Sequence, residues 1–184
     1  KLVFVGTIEP RKGVLDLLLA CVKLKDSNID FSLDIIGSVP SKYLDYFNKM
    51  KEIIDQKLNE TDIKFHGHLP QNEIASLVFN SSALVLPSFE ETAPMVISEA
   101  MALGTIVIST KVAGIPWMID DKVTGLLFTP GNYEELFSKI FFILGASEEN
   151  IRMSKKARLK SEKLYHPNMV ADKTYNVYKK IISK

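Results

Sequence analysis

Short runs rich in valine, isoleucine and leucine alternate with longer helix-like stretches along the whole chain, and this alternation constrains the fold more than any other feature. Strand-like runs fall at Leu2–Val5, Phe31–Ile36, Ile63–His66, Ala83–Leu86, Thr105–Ser109 and Gly125–Phe128. Between them lie helical stretches at Gly13–Lys25, Pro40–Leu58, Gln71–Asn80 and Pro94–Leu103, a short helical piece near Pro116–Asp120, and then Tyr133–Leu144, about Glu148–Leu164, and Pro167–Ile182. Strands with little polar alternation are buried on both faces. Strands that alternate with helices build right-handed βαβ units on a parallel sheet. The expected fold is α/β, a doubly wound parallel sheet of about six strands with helices on both faces.

At 184 residues the chain suits a single domain. A chain of this size buries roughly 70% of its unfolded surface and needs no staples. The balance of 23 basic against 22 acidic residues leaves a net charge of +1 and no electrostatic footprint for nucleic acid. The one cysteine, Cys21, forms no internal disulfide and reads as part of a buried helix face, which fits a reducing, cytoplasmic setting. No apolar run reaches the ~18 residues of a transmembrane segment. The chain opens "KLVFVG" inside a strand and without methionine, so a fragment lacking a preceding half is expected.

Gly6, Gly37 and Gly67 each follow the end of a strand-like run and mark the carboxyl edge of the sheet. Ligands of open α/β sheets bind in the crevice outside that edge. Two stretches there carry chemistry. In "GTIEPRKG", Gly6 to Gly13, a loop leads into a helix start with Arg11 and Lys12 beside it. A helix N-terminus and two full positive charges make a plausible pyrophosphate site. The spacing matches neither the dinucleotide nor the P-loop fingerprint. A solvated basic pair is the plainer alternative.

In "SFEETAPMVISEAMALGTIVIST", Ser88 to Thr110, Glu91 precedes a helix and Glu99 lies within it. Pro94 suits the first turn, Gly104 the far cap, and Met95, Val96, Ala100 and Leu103 an inward face. At ~1.5 Å per residue, Glu99 stands ~6–9 Å along from the helix start. The carboxylates are too far apart to share a proton, so they suit two parts of one elongated ligand. Carboxylates accept paired hydroxyls, and the amides of residues 93–96 face what lies between. Hydroxyls, phosphate, hydroxyls is the layout of a nucleotide sugar; a dipole-stabilised glutamate and a solvent-exposed one are the alternative. Trp117 is expected to be a packing residue. His66 and His68 are expected to point to opposite faces and, with no third ligand, to hold no metal. The lysines of the last two helices read as solvated faces.

Taken together these residues resemble a family. "EETAPMVISEAMALGTIVIST" is similar to the E-x7-E motif of retaining glycosyltransferase family 4, with Thr105 where proline is usual. "FVGTIEPRKG", "ALVLPS" and "VAGIPWMIDDKVTGLLFTPGN" resemble its other motifs, in the family's order. The resemblance implies the C-terminal, donor-binding half of a two-domain GT-B enzyme of glycan biosynthesis. It would be a hexosyltransferase whose missing N-terminal domain holds a glycan or lipid-linked acceptor and meets the terminal helix, 167–182. On this reading the full-length protein is cytoplasmic, peripheral at the inner membrane face, and the fragment alone is inactive.

Carried over, Glu99 binds ribose hydroxyls and Glu91 the hydroxyls of a UDP- or GDP-linked sugar. Arg11 and Lys12 hold the diphosphate beside Gly6 and Thr7, with amides of Ala93, Met95 and Val96 next to Pro94 assisting. His68 and Leu69 border the base. No cofactor or metal is implied. Thr7 stands in place of the family's arginine, Thr92 and Pro94 in place of glycines, and Trp117 in place of glutamate. A nucleotide-sugar epimerase and a non-catalytic interaction domain are the competing readings.

Overall fold

The computed structural model describes residues 1–59 and 61–182; residues 60, 183 and 184 of the expected 1–184 domain lie outside it. Six strands form one wholly parallel sheet: β1 (Leu2–Val5), β2 (Leu33–Ile36), β3 (Ile63–Gly67), β4 (Ala83–Leu86), β5 (Ile106–Thr110) and β6 (Leu126–Phe128). Their order across the sheet is β3-β2-β1-β4-β5-β6. The helices are α1 (Val14–Asp26), α2 (Leu44–Lys57), α3 (Gln71–Phe79), α4 (Met95–Leu103), α5 (Ile115–Met118), α6 (Tyr133–Leu144), α7 (Glu148–Tyr165) and α8 (Pro167–Ile182). The expected doubly wound α/β sheet is present.

The strands are central because little in them needs water. Every residue of β2, β4, β5 and β6 is buried. The helices cover the sheet with apolar stripes: α1 turns Leu17, Leu18, Cys21 and Leu24 inward and packs on α6, and α3 packs on α4, which packs in turn on α7. Burial pushes the Cys21 thiol far up, with the charge of Asp62 adding to the effect, so the thiol stays protonated in the core. Several hydroxyls that enter the core are bonded. Thr105, in place of proline, donates its hydroxyl to the Val78 carbonyl at 2.9 Å and ties the end of α3 to the start of β5. Ser154 and Ser161 of α7 donate to the carbonyls of Gly104 and Ser98 at 2.5 and 2.9 Å.

Several boundaries differ from the periodicity. The expected helix over 40–58 is split into a 3-10 turn at Ser41–Tyr43 and α2, with the Tyr43 amide bonding back to the Pro40 carbonyl at 2.9 Å. Pro94 is the N-cap of α4, at φ −68° and ψ 115°, rather than a residue of its first turn. The buried face of α4 is Ile97, Ala100 and Met101; Met95 is 72% exposed and Val96 half-buried. Trp117 is 84% exposed, so it is not a packing residue: Ile115 and Met118 fill the core from this short helix and leave the indole outside.

The two histidines are parted as expected, but by the end of the strand rather than by alternation along it. Residues two apart on a regular strand share a face. Here Gly67, at φ 66°, ends β3 and parts them. His66 Nε2 lies 2.6 Å from Asp34 Oδ1, while His68 is exposed.

Candidate functional site

The chain reverses direction across the sheet between β1 and its neighbour β4, and such a switch point opens a crevice at the carboxyl edge. The loops after these two strands are therefore side by side although their residues are far apart in sequence. The β1 loop runs through a 3-10 turn, Pro10–Lys12, into Gly13 at φ 65°. A β-carbon on Gly13 would lie 2.0 Å from the Pro87 carbonyl oxygen, so the absence of a side chain lets the two loops touch. The Phe89 amide donates to the Arg11 carbonyl at 2.8 Å across the same seam.

Lys12 and Glu91 meet there. The Lys12 ammonium donates to Glu91 Oε1, and the side chains are 14% and 8% exposed. The Ser88 hydroxyl donates to the same oxygen at 2.9 Å. Behind it, Thr110 of β5 donates to the Ser88 carbonyl at 2.6 Å. Arg11 is paired as well, its Nε 2.7 Å from Glu9 Oε1. The basic pair expected to greet a diphosphate is thus matched by two carboxylates. Four of the five N–H donors of Arg11 remain beyond that contact.

The start of α1 offers an anion less than its sequence suggests. The Leu15 amide bonds the Tyr46 hydroxyl at 3.1 Å, and those of Asp16 and Leu17 reach back to the Gly13 carbonyl. Burial raises the Asp16 carboxyl from its ordinary value, and its Oδ2 is buried without a partner. The full charges of the 3-10 turn, rather than the helix end behind it, supply the positive groups here.

A cleft of 490 Å³ opens over this seam, walled by Arg11, Phe89, Glu90, Glu91, Thr92, Ala93, Pro94, Val112 and Ala113. The β5–α5 loop forms its far side. Ala113 sits at φ 41°, in left-handed backbone. A β-carbon on Gly114 would lie 1.8 Å from the Thr92 carbonyl oxygen, so that loop props the segment entering α4. The amides of Met95 and Val96 open α4 ahead of its first i→i−4 bond and face outward with the helix dipole. Glu99 lies elsewhere. It lines a separate cavity of 240 Å³ with Met95, Ser98 and Ala102 of α4 and Ser161, Glu162, Tyr165, His166 and Pro167 from the end of α7 and beyond. Pro94 belongs to the first space and Met95 to the second, so the α4 entrance divides the two glutamates.

The structure brings Arg11, Lys12, Glu91, Ala93 and Pro94 together and sets Met95 and Glu99 on the other side of the α4 entrance. Gly6 and Thr7 begin the β1 loop, and Gly37 crosses it so closely that a β-carbon would lie 1.9 Å from the Gly6 carbonyl oxygen. His68 and Leu69 follow β3, two strands from β1, or roughly 10 Å across the sheet; they do not line the cleft. Sequence reasoning missed Glu9, Ser88, Phe89, Glu90, Val112 and Ala113. Ser88 left one usable signal: a serine three residues before a glutamate, at a strand end, is placed to hold that carboxylate.

A parallel sheet of this order, with a crevice at its switch point, has the architecture of the Rossmann-like half of a GT-B fold. The comparisons with known proteins agree. Residues 1–160 match the family model described as glycosyl transferases group 1, and the chain belongs to that family. An uncharacterized glycosyltransferase of Methanocaldococcus jannaschii is 33% identical over 145 residues, 79% of this chain and 38% of the relative. The D-inositol 3-phosphate glycosyltransferase of Corynebacterium glutamicum is 30% identical over 158 residues, 84% of this chain and 37% of its own length. The chain therefore spans well under half of these relatives. Among solved structures, a glycosyltransferase from Rickettsia africae superposes with a TM-score of 0.89 at 26% identity, covering 98% of this chain and 47% of that one. Anabaena HepE in complex with UDP superposes at 0.88 with 21% identity, covering 100% and 48%, a likeness of fold.

Proposed function

We propose that this domain holds a nucleoside-diphosphate sugar and serves the retaining, metal-independent transfer of a hexose to an acceptor. The observation that carries the reading is the meeting of Lys12 and Glu91 at the switch point, 79 residues apart in sequence, in a chain of the glycosyl transferases group 1 family. Solved neighbours in complex with UDP and with UDP-glucose support the donor class. In this reading Arg11 and Lys12 take the diphosphate beside Gly6 and Thr7. The amides of Ala93, Met95 and Val96 assist at the α4 entrance, Glu91 accepts from the sugar's hydroxyls, and Glu99 accepts from the ribose. His68 and Leu69 border the base from the β3 side.

Cleavage of the bond between the anomeric carbon and the diphosphate oxygen leaves negative charge on the diphosphate and positive character on the sugar. Fixed cations aimed at the leaving group lower that barrier most, and Arg11 and Lys12 supply two without a metal. Glu91 and Glu99, parted by the α4 entrance, act as hydroxyl acceptors and not as a nucleophile–acid pair.

The acceptor, glycan or lipid-linked, is assigned to another domain of a longer cytoplasmic protein that is peripheral at the inner membrane face. Helix α8 docks there: Val177, Tyr178, Ile181 and Ile182 are exposed on it, and none of its residues is buried in this domain. Among the described residues no helix is long and apolar enough to cross a membrane.

Calorimetric titration with UDP, GDP and ADP tests the reading, alongside Glu99→Ala. One nucleotide is expected to bind, about tenfold or more weaker in the variant, as loss of hydrogen bonds to a charged group entails. Unchanged affinity in Glu99→Ala removes Glu99 from the site; no binding of any of the three by the folded wild type removes the donor reading. Multiple-turnover transfer by the isolated domain would show that no second domain is needed.

A further inference from the structure

Glu91 is gripped at one oxygen by two donors of different kinds. Both the Lys12 ammonium and the Ser88 hydroxyl reach Oε1, and no hydrogen bond among the described residues reaches Oε2. Lys12 sits on a flexible four-carbon stem at the lip of the 3-10 turn, and a diphosphate with its two or more negative charges competes with Glu91 for it. Ser88 has no such freedom. It is fully buried, as is Thr110, whose hydroxyl clamps the Ser88 carbonyl from β5 at 2.6 Å. One donor can leave with the diphosphate; the other is locked to the sheet.

We propose that Ser88 is the positioning residue for Glu91, holding Oε1 once the diphosphate draws Lys12 away and leaving Oε2 to accept from the donor sugar's hydroxyls. The inference rests on the donor reading above and adds an order to it. Before the donor arrives, Lys12 and Glu91 neutralise one another. Diphosphate binding breaks that pair, and the freed carboxylate is already aimed. Recognition of the sugar is then coupled to recognition of the diphosphate, and Ser88 carries the coupling. A carboxylate that lost both donors would swing in the cleft and lose the entropy advantage of a fixed acceptor.

The test uses the full-length protein and the pair whose nucleotide binds in the titration above: UDP with UDP-glucose, GDP with GDP-mannose, or ADP with ADP-glucose. Each dissociation constant is measured for wild type, Ser88→Ala and Thr110→Val. Ser88→Ala is expected to weaken the nucleotide sugar about tenfold while changing the bare nucleotide by less than about twofold, since the lost hydrogen bond serves a charged group that meets only the sugar. Thr110→Val is expected to shift the ratio of the two constants the same way by a smaller factor, and it stands in if the buried serine variant fails to fold. Equal weakening of both ligands means that Ser88 merely supports the loop and overturns the proposal, as does an unchanged ratio in a folded variant. Failure of wild type to bind any of the three nucleotides is a different result; it overturns the donor reading, and this inference with it.

Discussion

Gly114→Ala is the substitution that asks most of this structure. The native backbone at Gly114 has φ −79° and ψ −11°, which any residue adopts, so the change carries no conformational strain of its own. Its whole effect comes from one close approach. The added β-carbon would stand 1.8 Å from the Thr92 carbonyl oxygen and 3.0 Å from the Thr92 carbonyl carbon. An ordinary contact requires the two loops to part by roughly 1.5 Å. Both atoms in the clash belong to the backbone, so no side chain can rotate out of the way. Overpacking of this kind costs about 1–3 kcal/mol, which in a domain of this size lowers the melting temperature by about 2–4 °C per kcal/mol.

The displaced segment is the one that carries Glu91 and leads through Ala93 and Pro94 into α4. A shift of about 1 Å in a positioned group costs up to about a hundredfold in rate, and nucleotide-sugar affinity is expected to fall by at least tenfold. Gly104→Ala is the control. Gly104 caps the other end of α4 at φ 79°, where alanine is strained by about 1–2 kcal/mol, and its β-carbon would meet only the Ser154 hydroxyl, at 3.3 Å. Thermal unfolding and calorimetry read both variants: Gly104→Ala should lose stability and keep affinity, Gly114→Ala should lose both. A Gly114→Ala protein with wild-type stability and affinity would refute the claim that this contact shapes the glutamate loop.

Two further expectations follow from groups away from the cleft. Burial by itself would raise the Asp34 carboxyl, but hydrogen bonds from Lys1 and His66, with their charges, outweigh it and hold the pKa below its ordinary value. A depressed carboxylate contributes stability that is complete above its unfolded pKa of about 3.9 and is lost as pH falls through the folded value. In urea titrations Asp34→Asn should therefore be less stable than wild type at neutral pH, and the gap should close in acid; a gap that stays constant to pH ~2 would contradict the assignment. Trp117 should fluoresce as a solvent-exposed indole open to quenchers, and Trp117→Ala should change stability by less than about 0.5 kcal/mol; a blue-shifted, protected indole in this domain would contradict its exposed placement.

Part of the candidate site, Arg11, Lys12 and Glu91, was legible because its parts are local, whereas Glu99 lines a separate cavity. Glu91 and Glu99 read as an acceptor pair from their places before and within one helix, and Arg11 and Lys12 as cations at a strand-to-helix turn. Ser88, Glu9 and the Ala113–Gly114 loop were not legible, since their roles exist only where separate loops touch. The inward face of α4 was misjudged at Met95, and Ile97 and Met101 were missed, for a related reason: the helix is apolar nearly all round, so periodicity could not say which side meets the sheet and α7 and which leaves Met95 outside. Trp117 was misplaced because size and hydrophobicity favour burial on average, while a short helix has room to bury only Ile115 and Met118.

By itself the sequence determined the alternation of buried strands and covering helices, and hence a parallel α/β sheet, because both follow from backbone geometry and side-chain period over a few residues at a time. Only the tertiary structure decided that β4 returns to lie beside β1 and not beside β3. That crossover is a choice among packings with similar local preferences, settled by the summed burial of the whole core. It seats Lys12 on Glu91 and sets Glu99 on the far side of the α4 entrance.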